Sequence, residues 1–269
     1  MGKIQDAINA SRKQAQSAKH APRSSSMAET EMSVPAARVR LENIPSLDLD
    51  PDQMERSCLL PYVKDKGAAN AYMLLRTRLL QRMRDNQWKS LIVTGTLPDD
   101  GKTTTAINLA IGVSQDVGQA VVLVDLDLAR PAIAGCLGLK PTAGLSDYLC
   151  GDADANDILY NTDVDRLIIL PNFEQIHSSE LLVSPKMLAL LDHIKRLSPN
   201  LLVIFDMPPI LSSDSVLAFG PHVDTLLLVI SEGRTNRTLL QRANQMIEEI
   251  PRVGTVLNRS SEGNAGGYY

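Results

Sequence analysis

The sequence predicts an α/β fold, in which a mostly parallel, twisted sheet is flanked by helices. Its apolar, β-rich runs are continuous rather than alternating, which is typical of strands that are buried on both faces. Helical segments lie between these runs, and this order favours right-handed crossovers between parallel strands. The predicted strands are 91–93, 120–124, 167–170, 201–205, 225–230 and 253–257, and the predicted helices lie near 67–84, 102–117, 184–197 and 235–249.

Composition divides the 269 residues into an N-terminal arm, a folded domain and a tail. We predict a partly helical or disordered arm at 1–59, with a short polar helix at 1–19 followed by a Ser-, Ala- and Pro-rich linker. The folded domain is placed at 60–262 and a tail rich in Gly and Tyr at 263–269. Residues 1–40 contain seven Lys and Arg against three Asp and Glu, whereas the whole chain has a net charge of −4. A basic arm suits an acidic membrane surface or partner, and a solvated tail is the alternative.

Cysteine use and hydropathy indicate a cytoplasmic protein. The chain has three cysteines and no CxxC pair, which suggests a reducing compartment and argues against a zinc or iron–sulfur site. It contains no apolar run of the 18 or more residues that a membrane span requires. We expect no nucleic-acid partner.

A phosphate-binding loop is predicted where the strand at 91–93 runs directly into a helix. The connecting residues Thr94 to Thr104 read TGTLPDDGKTT, with Gly-Lys-Thr at the start of the helix. Backbone N–H groups at a helix N-terminus bind anions, so we expect this loop to hold the phosphates of a nucleotide. Thr96 stands where the usual G-x-x-x-x-G-K-[ST] pattern has its first glycine. The predicted cofactor-binding residues of the loop are Pro98, Asp99, Asp100, Gly101, Lys102, Thr103 and Thr104.

Acidic residues follow two further strands of the predicted sheet. Asp125 and Asp127 end the second strand, and because they are two residues apart they would share one side of an extended chain. Carboxylates there suit Mg²⁺ coordination and deprotonation of a hydroxyl, while the alternative is that they cap the following turn. Asp206 follows the fourth strand and fits an acid that holds Mg²⁺ through water. Lys102 would reach the β- and γ-phosphates. The predicted catalytic residues are therefore Lys102, Asp125, Asp127 and Asp206. The predicted metal ligands are Thr103, Asp125 and Asp206.

The last strand and the chain end supply two further predictions. Asn258 and Arg259 end the last strand, where the amide would read a purine edge and the guanidinium would stack on it. A simple strand-ending turn is the alternative. Tyr268 and Tyr269 end a glycine-rich sequence that is flexible by composition, and they have no obvious core to join.

Taken in order, these motifs resemble those of the bacterial tyrosine kinases of capsule and exopolysaccharide systems. Those kinases share a broad ATPase class with the partitioning and division-site ATPases. The resemblance covers residues from about 68 to 269, and the arm is similar to that of the cytosolic form that accompanies exosortase-type exopolysaccharide clusters. Leu97 stands where partitioning ATPases carry an extra lysine, which favours the kinase branch. Further matching motifs are Leu-Arg-Thr at 75–77, Arg130-Pro131, Gly-Leu-Ser-Asp at 144–147, Leu-Pro at 170–171, Glu-Leu-Leu at 180–182 and Pro208-Pro209.

The resemblance implies a protein-tyrosine kinase that uses ATP and Mg²⁺ and phosphorylates its own C-terminal tyrosines. It assigns Asp125 and Asp127 to the second acidic motif, Asp206 to the Walker B position, and Tyr268 and Tyr269 as the phosphoacceptors. We expect Asp127 to be the base. It also implies a membrane-embedded polysaccharide chain-length regulator, whose cytoplasmic segment recruits the protein to the inner face of the cell membrane, and assembly into a homo-oligomer.

The sequence departs from the family pattern in the helix at 67–84. The family motif is Glu-x-x-Arg-x-x-Arg-Thr. In this sequence Asn70 and Met73 replace its first two charged residues, and only Arg76 and Thr77 match it. Because this helix forms rings in the family, we expect the isolated protein to be weakly active and mostly not in a stable ring. The rival hypothesis is a regulatory ATPase or pseudokinase, which binds ATP and switches the membrane regulator without phosphorylating tyrosine.

Overall fold

The computed structural model describes residues 44–176 and 178–260. Within these ranges the strands are β1 (Ser46–Leu47), β2 (Ser90–Gly95), β3 (Ala120–Asp125), β4 (Tyr160–Thr162), β5 (Leu167–Leu170), β6 (Leu201–Asp206), β7 (Thr225–Ser231) and β8 (Arg252–Asn258). The helices are α1 (Pro51–Arg56), α2 (Lys66–Asp85), α3 (Lys102–Ser114), α4 (Ile133–Leu137), α5 (Leu145–Cys150), α6 (Pro185–Arg196), α7 (Ser215–Phe219) and α8 (Arg237–Met246). Two short 3-10 helices span Ser179–Val183 and Gly220–His222.

In the described residues the strands form one sheet in the order β1-β4-β5-β3-β6-β2-β7-β8. Strands β5, β3, β6, β2, β7 and β8 pair in parallel, and β4 pairs antiparallel with β5. The predicted fold class is therefore confirmed, with each predicted strand and long helix present and only its ends shifted by a few residues.

The continuous apolar runs are explained by two cores, one on each face of the sheet. Successive residues of a strand point to opposite faces, so Leu91 and Val93 pack in one core while Ile92 packs in the other. Phe205 of β6 adds an edge-to-face contact with Phe219 of α7, whose ring centroid lies 5.1 Å away. Each such buried apolar side chain contributes about 1.5–3 kcal/mol to folding. These two cores fix the positions of the strand ends that carry the polar motifs.

Secondary structure of the domain is present before residue 60, where the folded domain was predicted to start. Strand β1 pairs in parallel with β4, and helix α1 follows it. Asp50 caps α1 by accepting hydrogen bonds from the N–H groups of Asp52 at 2.9 Å and Gln53 at 3.2 Å. Leu49 and Met54 are buried in the core that contains α3. The segment predicted to be the end of a linker therefore belongs to the domain.

Some of the sequence predictions lie outside the described residues. These are the polar helix at 1–19, most of the linker, and the tail with Tyr268 and Tyr269. In the part of the chain that the structure describes, no helix combines the length and apolarity needed to cross a membrane.

Candidate functional site

The predicted phosphate-binding loop joins β2 to α3 at the carboxyl end of the sheet. Gly101, the N-cap of α3, has a φ of 87°, which is the left-handed region that glycine adopts readily. A Cβ at Gly101 would collide with Nδ2 of Asn258, so the close approach of this side chain also requires glycine. Asp99 has a φ of 62°, which is uncommon for a residue with a side chain. The loop is thus held in a specific, partly strained conformation.

The side chain of Asp100 faces the interior of the loop rather than the cavity. Its Oδ2 accepts hydrogen bonds from the backbone N–H groups of Thr96 at 2.9 Å and Leu97 at 2.8 Å. The Thr96 hydroxyl donates to the same oxygen at 2.6 Å. The side chain of Asp100 therefore stabilises the conformation of the loop. Only the backbone of this residue would contact a nucleotide.

Lys102 begins α3 and is buried between carboxylates. Its Nζ lies 2.8 Å from Oδ2 of Asp127 and 3.6 Å from Oδ1 of Asp206. Burial opposes the charge on this ammonium, but the charges of Asp206 and Asp127 outweigh burial and raise the pKa of Lys102. The lysine is therefore a permanent cation at the loop.

Thr103 and Asp206 are joined directly. The Thr103 hydroxyl donates to Oδ2 of Asp206 at 2.6 Å. Asp206 is fully buried, and its Oδ1 accepts no hydrogen bond within the described residues. Burial raises the pKa of this carboxyl, against the opposing charge of Lys102 and the hydrogen bond from Thr103.

These oxygens fit a magnesium ion. No group of three or more His, Cys, Asp or Glu side chains in residues 44–176 and 178–260 could hold a metal by itself. Mg²⁺ is instead usually bound by one or two carboxylates together with substrate phosphates. The Thr103 hydroxyl and Oδ1 of Asp206, which accepts no hydrogen bond within the described residues, supply hard oxygen ligands beside a phosphate loop, which is the donor set that such an ion needs.

Asp125 makes the capping contacts considered as the alternative to metal binding. Its Oδ2 accepts hydrogen bonds from the N–H groups of Ala132 at 2.9 Å and Ile133 at 3.0 Å, at the start of α4. Its Oδ1 accepts from the N–H of Asp127 at 3.2 Å. Burial, and next the charge of Asp206, raise the pKa of Asp125 to about 8. The side chain organises the turn that carries Asp127, and its predicted roles in catalysis and metal binding stay predictions.

A cavity of about 560 Å³ lies over the phosphate loop. This volume is within the roughly 300–1,000 Å³ range of small-molecule sites. It is lined by eight residues that the sequence predicted: Pro98, Asp99, Gly101, Lys102, Thr103, Thr104, Asp127 and Arg259. The sequence did not assign the other lining residues to the site: Ala129, Arg130, Ala132, Pro208, Pro209, Ser212 and Ser213.

Asn258 lies beside the loop rather than in the lining of this cavity. Its Nδ2 donates to the backbone carbonyl of Asp100 at 2.9 Å. Arg259, the next residue, does line the cavity. The predicted reading of a purine by Asn258 stays a prediction, because the described contact is with the loop.

The sequence analysis missed a hydrogen-bonded bracket to the phosphate loop from the segment that follows β7, the strand next to β2. Thr235, which follows β7, places its hydroxyl 2.9 Å from that of Thr96, and its hydroxyl also accepts from the N–H of Ser231 at 3.3 Å. Arg234 donates to the backbone carbonyl of Asp99 at 3.2 Å. The sequence did contain a signal for this contact. Polar residues follow β7, and the carboxyl ends of parallel strands meet at one edge of the sheet.

Comparisons with known proteins agree with this geometry. No family model matches the chain. Tyrosine-protein kinase YwqD of Bacillus subtilis is 29% identical over 221 residues, which cover 81% of this chain and 92% of that protein. Tyrosine-protein kinase CpsD of Streptococcus agalactiae is 29% identical over 201 residues, covering 73% of this chain and 84% of that protein.

Solved structures of a tyrosine kinase domain and of an ATPase also resemble the fold of this chain. The kinase domain of Escherichia coli tyrosine kinase ETK aligns with a TM-score of 0.67 and 28% identity, covering 79% of this chain and 84% of that one. The cell division ATPase MinD of Pyrococcus furiosus aligns with a TM-score of 0.54 and 25% identity, covering 65% and 74%.

The fold and the loop define the chain as a P-loop protein of the class that includes the ATPase MinD. Within that class it is a homologue of the bacterial tyrosine kinases and has the fold of their kinase domains. The family resemblance predicted from the sequence is confirmed.

Proposed function

We propose that the protein is an ATP-dependent protein-tyrosine autokinase that regulates exopolysaccharide polymerisation or export. The observation that carries this proposal is a cluster in which Lys102, Thr103 and Asp127 line the cavity over the phosphate loop, and the buried Asp206 contacts Lys102 and Thr103. One cation, one hydroxyl and two carboxylates are the groups needed to hold a nucleotide phosphate with Mg²⁺ and to accept a proton. The homology to tyrosine kinases supports the choice of phosphoryl acceptor.

Each side chain of the cluster has a proposed part in the reaction. The backbone of the loop and the ammonium of Lys102 bind the phosphates of ATP, and Arg259 contacts the nucleoside. Thr103 and Asp206 hold Mg²⁺, with Asp125 supporting the site. A bound Mg²⁺ neutralises charge that develops on the phosphate oxygens.

Asp127 is the proposed base, and its ion pair with Lys102 suggests how nucleotide binding controls its ability to accept a proton. In the described structure its carboxylate is paired with Lys102. A bound phosphate competes for the same ammonium, so Lys102 moves part of its interaction from Asp127 to the nucleotide. The carboxylate is then free to accept the proton of a tyrosine hydroxyl, whose ordinary pKa of about 10 keeps it protonated at neutral pH.

The proposed acceptors are Tyr268 and Tyr269, and the proposed partner is the cytoplasmic segment of a membrane-embedded chain-length regulator. That segment would recruit a cytoplasmic protein to the inner face of the membrane, with the N-terminal arm as its docking region. A homo-oligomer would bring the tail of one copy to the site of another. These parts of the proposal are supported by the family resemblance.

The surface of α2 favours the rival proposal of a regulatory ATPase. Asn70 and Met73 stand exposed where the family motif has charged residues, with 39% of Met73 accessible. Arg76, which does match the motif, is half-buried and donates to the carbonyl of Gly112 at 3.3 Å, within its own domain. Such a surface is poorly suited to ring contacts, and a monomer would not present its tail to a neighbour.

One experiment distinguishes the two proposals. The purified full-length protein is incubated with ATP and Mg²⁺, and intact mass and phosphosite mapping are followed with ADP release. A kinase gains phosphate on the C-terminal tyrosines. ADP release with no phosphotyrosine, both alone and with the cytoplasmic segment of a cognate regulator, would exclude the kinase proposal and favour the regulatory ATPase.

A further inference from the structure

The sheet ends at β8, whose outer side has no neighbouring strand among the residues that the structure describes. The carbonyl of Asn258 accepts a hydrogen bond from the N–H of Glu232, so the backbone of Asn258 faces β7. In a strand, the backbone N–H and C=O groups of one residue face one side, and those of the next residue face the other. The N–H and C=O groups of Thr255 and Leu257 therefore face away from β7, and we call this side of the strand the β8 edge.

The β8 edge is long and open. The strand has seven residues, whereas β1, at the other end of the sheet, has two. Thr255 and Leu257 are exposed, with 53% of Leu257 accessible. An open edge of this kind is a template for pairing with another extended chain, and proteins usually cover or block it. The β8 edge can therefore give backbone hydrogen bonds to an added strand.

Four exposed arginines flank the β8 edge, and we call them the arginine rim: Arg78, Arg82, Arg237 and Arg252. Two of them are placed there by contacts. Arg82 of α2 donates to the backbone carbonyl of Val253, and Arg252 donates to the side chain of Asn244 in α8. The start of β8 is thus bordered by an arginine from α2 and by one that reaches α8.

The other two arginines continue these rows along the helices. Arg78 lies one turn before Arg82 on α2, and Arg237 lies two turns before Asn244 on α8, so each stands on the same side of its helix as that residue. Helix α2 packs in one core and α8 in the other, on opposite faces of the sheet. The arginine rim therefore borders the β8 edge on both faces.

The charge of the arginine rim is not balanced within the described residues. The ion pairs found in this part of the chain include none of the four arginines. The whole chain nevertheless has a net charge of −4, so its positive charge is concentrated at this edge against the overall balance. Such a rim attracts an acidic partner and repels a basic one.

Charge also decides which occupant fits the β8 edge. A second copy would bring the same arginines against each other, and like charges on facing strands are unfavourable. Residues 1–40 of the chain carry a net positive charge, and residues 261–269 contain one acidic residue, so neither end of the chain is complementary. An anionic membrane surface would match the charge but offers no strand to the backbone groups. An acidic, extended peptide segment matches both features.

We propose that the β8 edge is a docking site for an acidic, extended segment of a partner protein, which joins the sheet as a further strand beside β8. Backbone hydrogen bonds to Thr255 and Leu257 would supply affinity, and pairing of carboxylates with the arginine rim would select acidic sequences. This inference is independent of the proposed kinase function, because no group of the nucleotide site takes part in it.

The test uses a fluorescent peptide of alternating Glu and Val, about as long as β8, titrated with the full-length protein without nucleotide. Val256 packs in the core that contains α2, so Leu257 faces the side of α8. The valines of an added strand can therefore lie beside Leu257 while its glutamates lie beside Arg78 and Arg82. Peptides of alternating Lys and Val and of alternating Glu and Pro are the controls. The first reverses the charge, and the second keeps the charge but does not form a strand.

Two substitutions separate the backbone contribution from the charge. Thr255→Pro removes an N–H that β7 does not use, and we expect the Kd of the Glu-Val peptide to rise about tenfold. Thr255→Val keeps that N–H and should bind as the wild type does. Arg78→Glu should raise the Kd roughly three- to tenfold. Its matched control is Arg196→Glu, which changes an exposed arginine at the end of α6 and should leave the Kd unchanged.

Amide hydrogen exchange of the unsubstituted protein, followed by NMR, covers the case in which Thr255→Pro fails to fold. The bound Glu-Val peptide should slow exchange at the N–H groups of Thr255 and Leu257, since these would donate to the added strand. The N–H of Leu47, in β1 at the other end of the sheet, is the internal control. Unchanged exchange at Thr255 and Leu257 under saturating peptide would overturn the proposal.

The remaining outcomes name the alternatives. Equal binding of the Glu-Val and Glu-Pro peptides would mean that charge alone attracts them and that no strand is added. If none of the peptides binds, the arginine rim serves only to keep copies of the chain from pairing edge to edge. Binding to phosphatidylglycerol vesicles without binding of the Glu-Val peptide would assign the rim to a membrane surface. Each of these results overturns the proposal and leaves the kinase proposal untouched.

Discussion

Lys102 and Asp127 form a buried ion pair at the phosphate loop, with Nζ of the lysine 2.8 Å from Oδ2 of the aspartate. The lysine that would bind phosphate and the acid that would accept a proton therefore neutralise one another when no nucleotide is present. Breaking a buried pair by removing one partner leaves an uncompensated charge, which is more costly than losing an exposed pair. Because a bound phosphate would compete with Asp127 for Lys102, binding of ATP would also free the carboxylate of Asp127 to accept a proton.

We predict that Lys102→Ala weakens ATP binding. Hydrogen bonds to charged groups are worth about 1.5–3 kcal/mol, so affinity should fall roughly ten- to a hundredfold or more. Isothermal titration calorimetry with ATP and Mg²⁺ measures this directly. Lys186→Ala is the matched control, since Lys186 is remote from the cavity and donates to the carbonyl of Tyr148 at 3.0 Å. Unchanged affinity in Lys102→Ala would show that the loop does not hold the phosphates as proposed.

Asp206→Asn should fold and bind nucleotide but lose turnover. The amide keeps the shape of the side chain and removes the charge that would position Mg²⁺. We expect a loss of roughly a hundredfold or more in phosphoryl transfer, measured by phosphotyrosine formation in single turnovers. Asp152→Asn, an exposed change outside the cavity, is the control. Wild-type transfer in Asp206→Asn would mean that the metal site has been misplaced.

Thr235→Val tests the bracket that joins the loop after β7 to the phosphate loop. The change removes the hydroxyl that lies 2.9 Å from Thr96 while keeping the side-chain volume. A lost hydrogen bond of about 0.5–1.5 kcal/mol should weaken ATP affinity by roughly two- to tenfold. Thr235→Ser retains the hydroxyl and should restore most of the affinity. Equal affinities in all three proteins would show that the bracket does not position the loop.

The strands and the phosphate loop could be predicted because their signals are local. Continuous apolar runs indicate strands buried on both faces, and Gly-Lys-Thr after a strand needs only adjacent residues to be recognised. The bracket between Thr96 and Thr235 could not be predicted, because it joins positions 139 residues apart. Ser212 and Ser213 were missed for the same reason, since the pairing of β6 with both β2 and β3 brings them to the cavity.

The N-terminal boundary was set too late because its elements are too short to show a period. Strand β1 has two residues and α1 has six, so neither is stable alone. They are stabilised by burial of Leu49 and Met54 against the rest of the domain. The inward side chain of Asp100 was likewise unpredictable, because it depends on the three-dimensional path of the loop.

The contribution of Asp125 to the stability of the ligand-free protein should fall as pH rises. The pKa of Asp125 is raised from its ordinary 3.8 to about 8 by burial and by the charge of Asp206. Between these values the folded protein binds a proton that the unfolded chain releases, so the contribution of Asp125 to stability is complete below about pH 4 and is lost as pH rises through about 8.

Calorimetric unfolding temperatures measured from roughly pH 5 to roughly pH 8 test this dependence. We expect a flatter pH dependence in Asp125→Asn, which has no proton to lose, and the wild-type dependence in Asp152→Asn. If Asp125→Asn and the wild-type protein show parallel curves, Asp125 does not titrate in this range.

The last prediction concerns the acceptor: removal of Tyr268 and Tyr269 should abolish phosphotyrosine and leave ATP hydrolysis in place. Eleven residues separate Asn258 from Tyr269, and an extended chain of that length reaches roughly 35–40 Å, so a tail could enter its own site or that of a neighbour. Each added phosphate brings about −1.5 to −2 charges, which an acidic protein repels, so modification should drive the tail from the site. Tyr62→Phe is the matched control, because Tyr62 is 40% exposed and is the tyrosine of the described domain most open to solvent. Phosphotyrosine and ADP release are measured in the same samples. Phosphotyrosine at the wild-type level in the shortened protein would mean that the tail is not the acceptor, and its loss in Tyr62→Phe would move the acceptor to the folded domain.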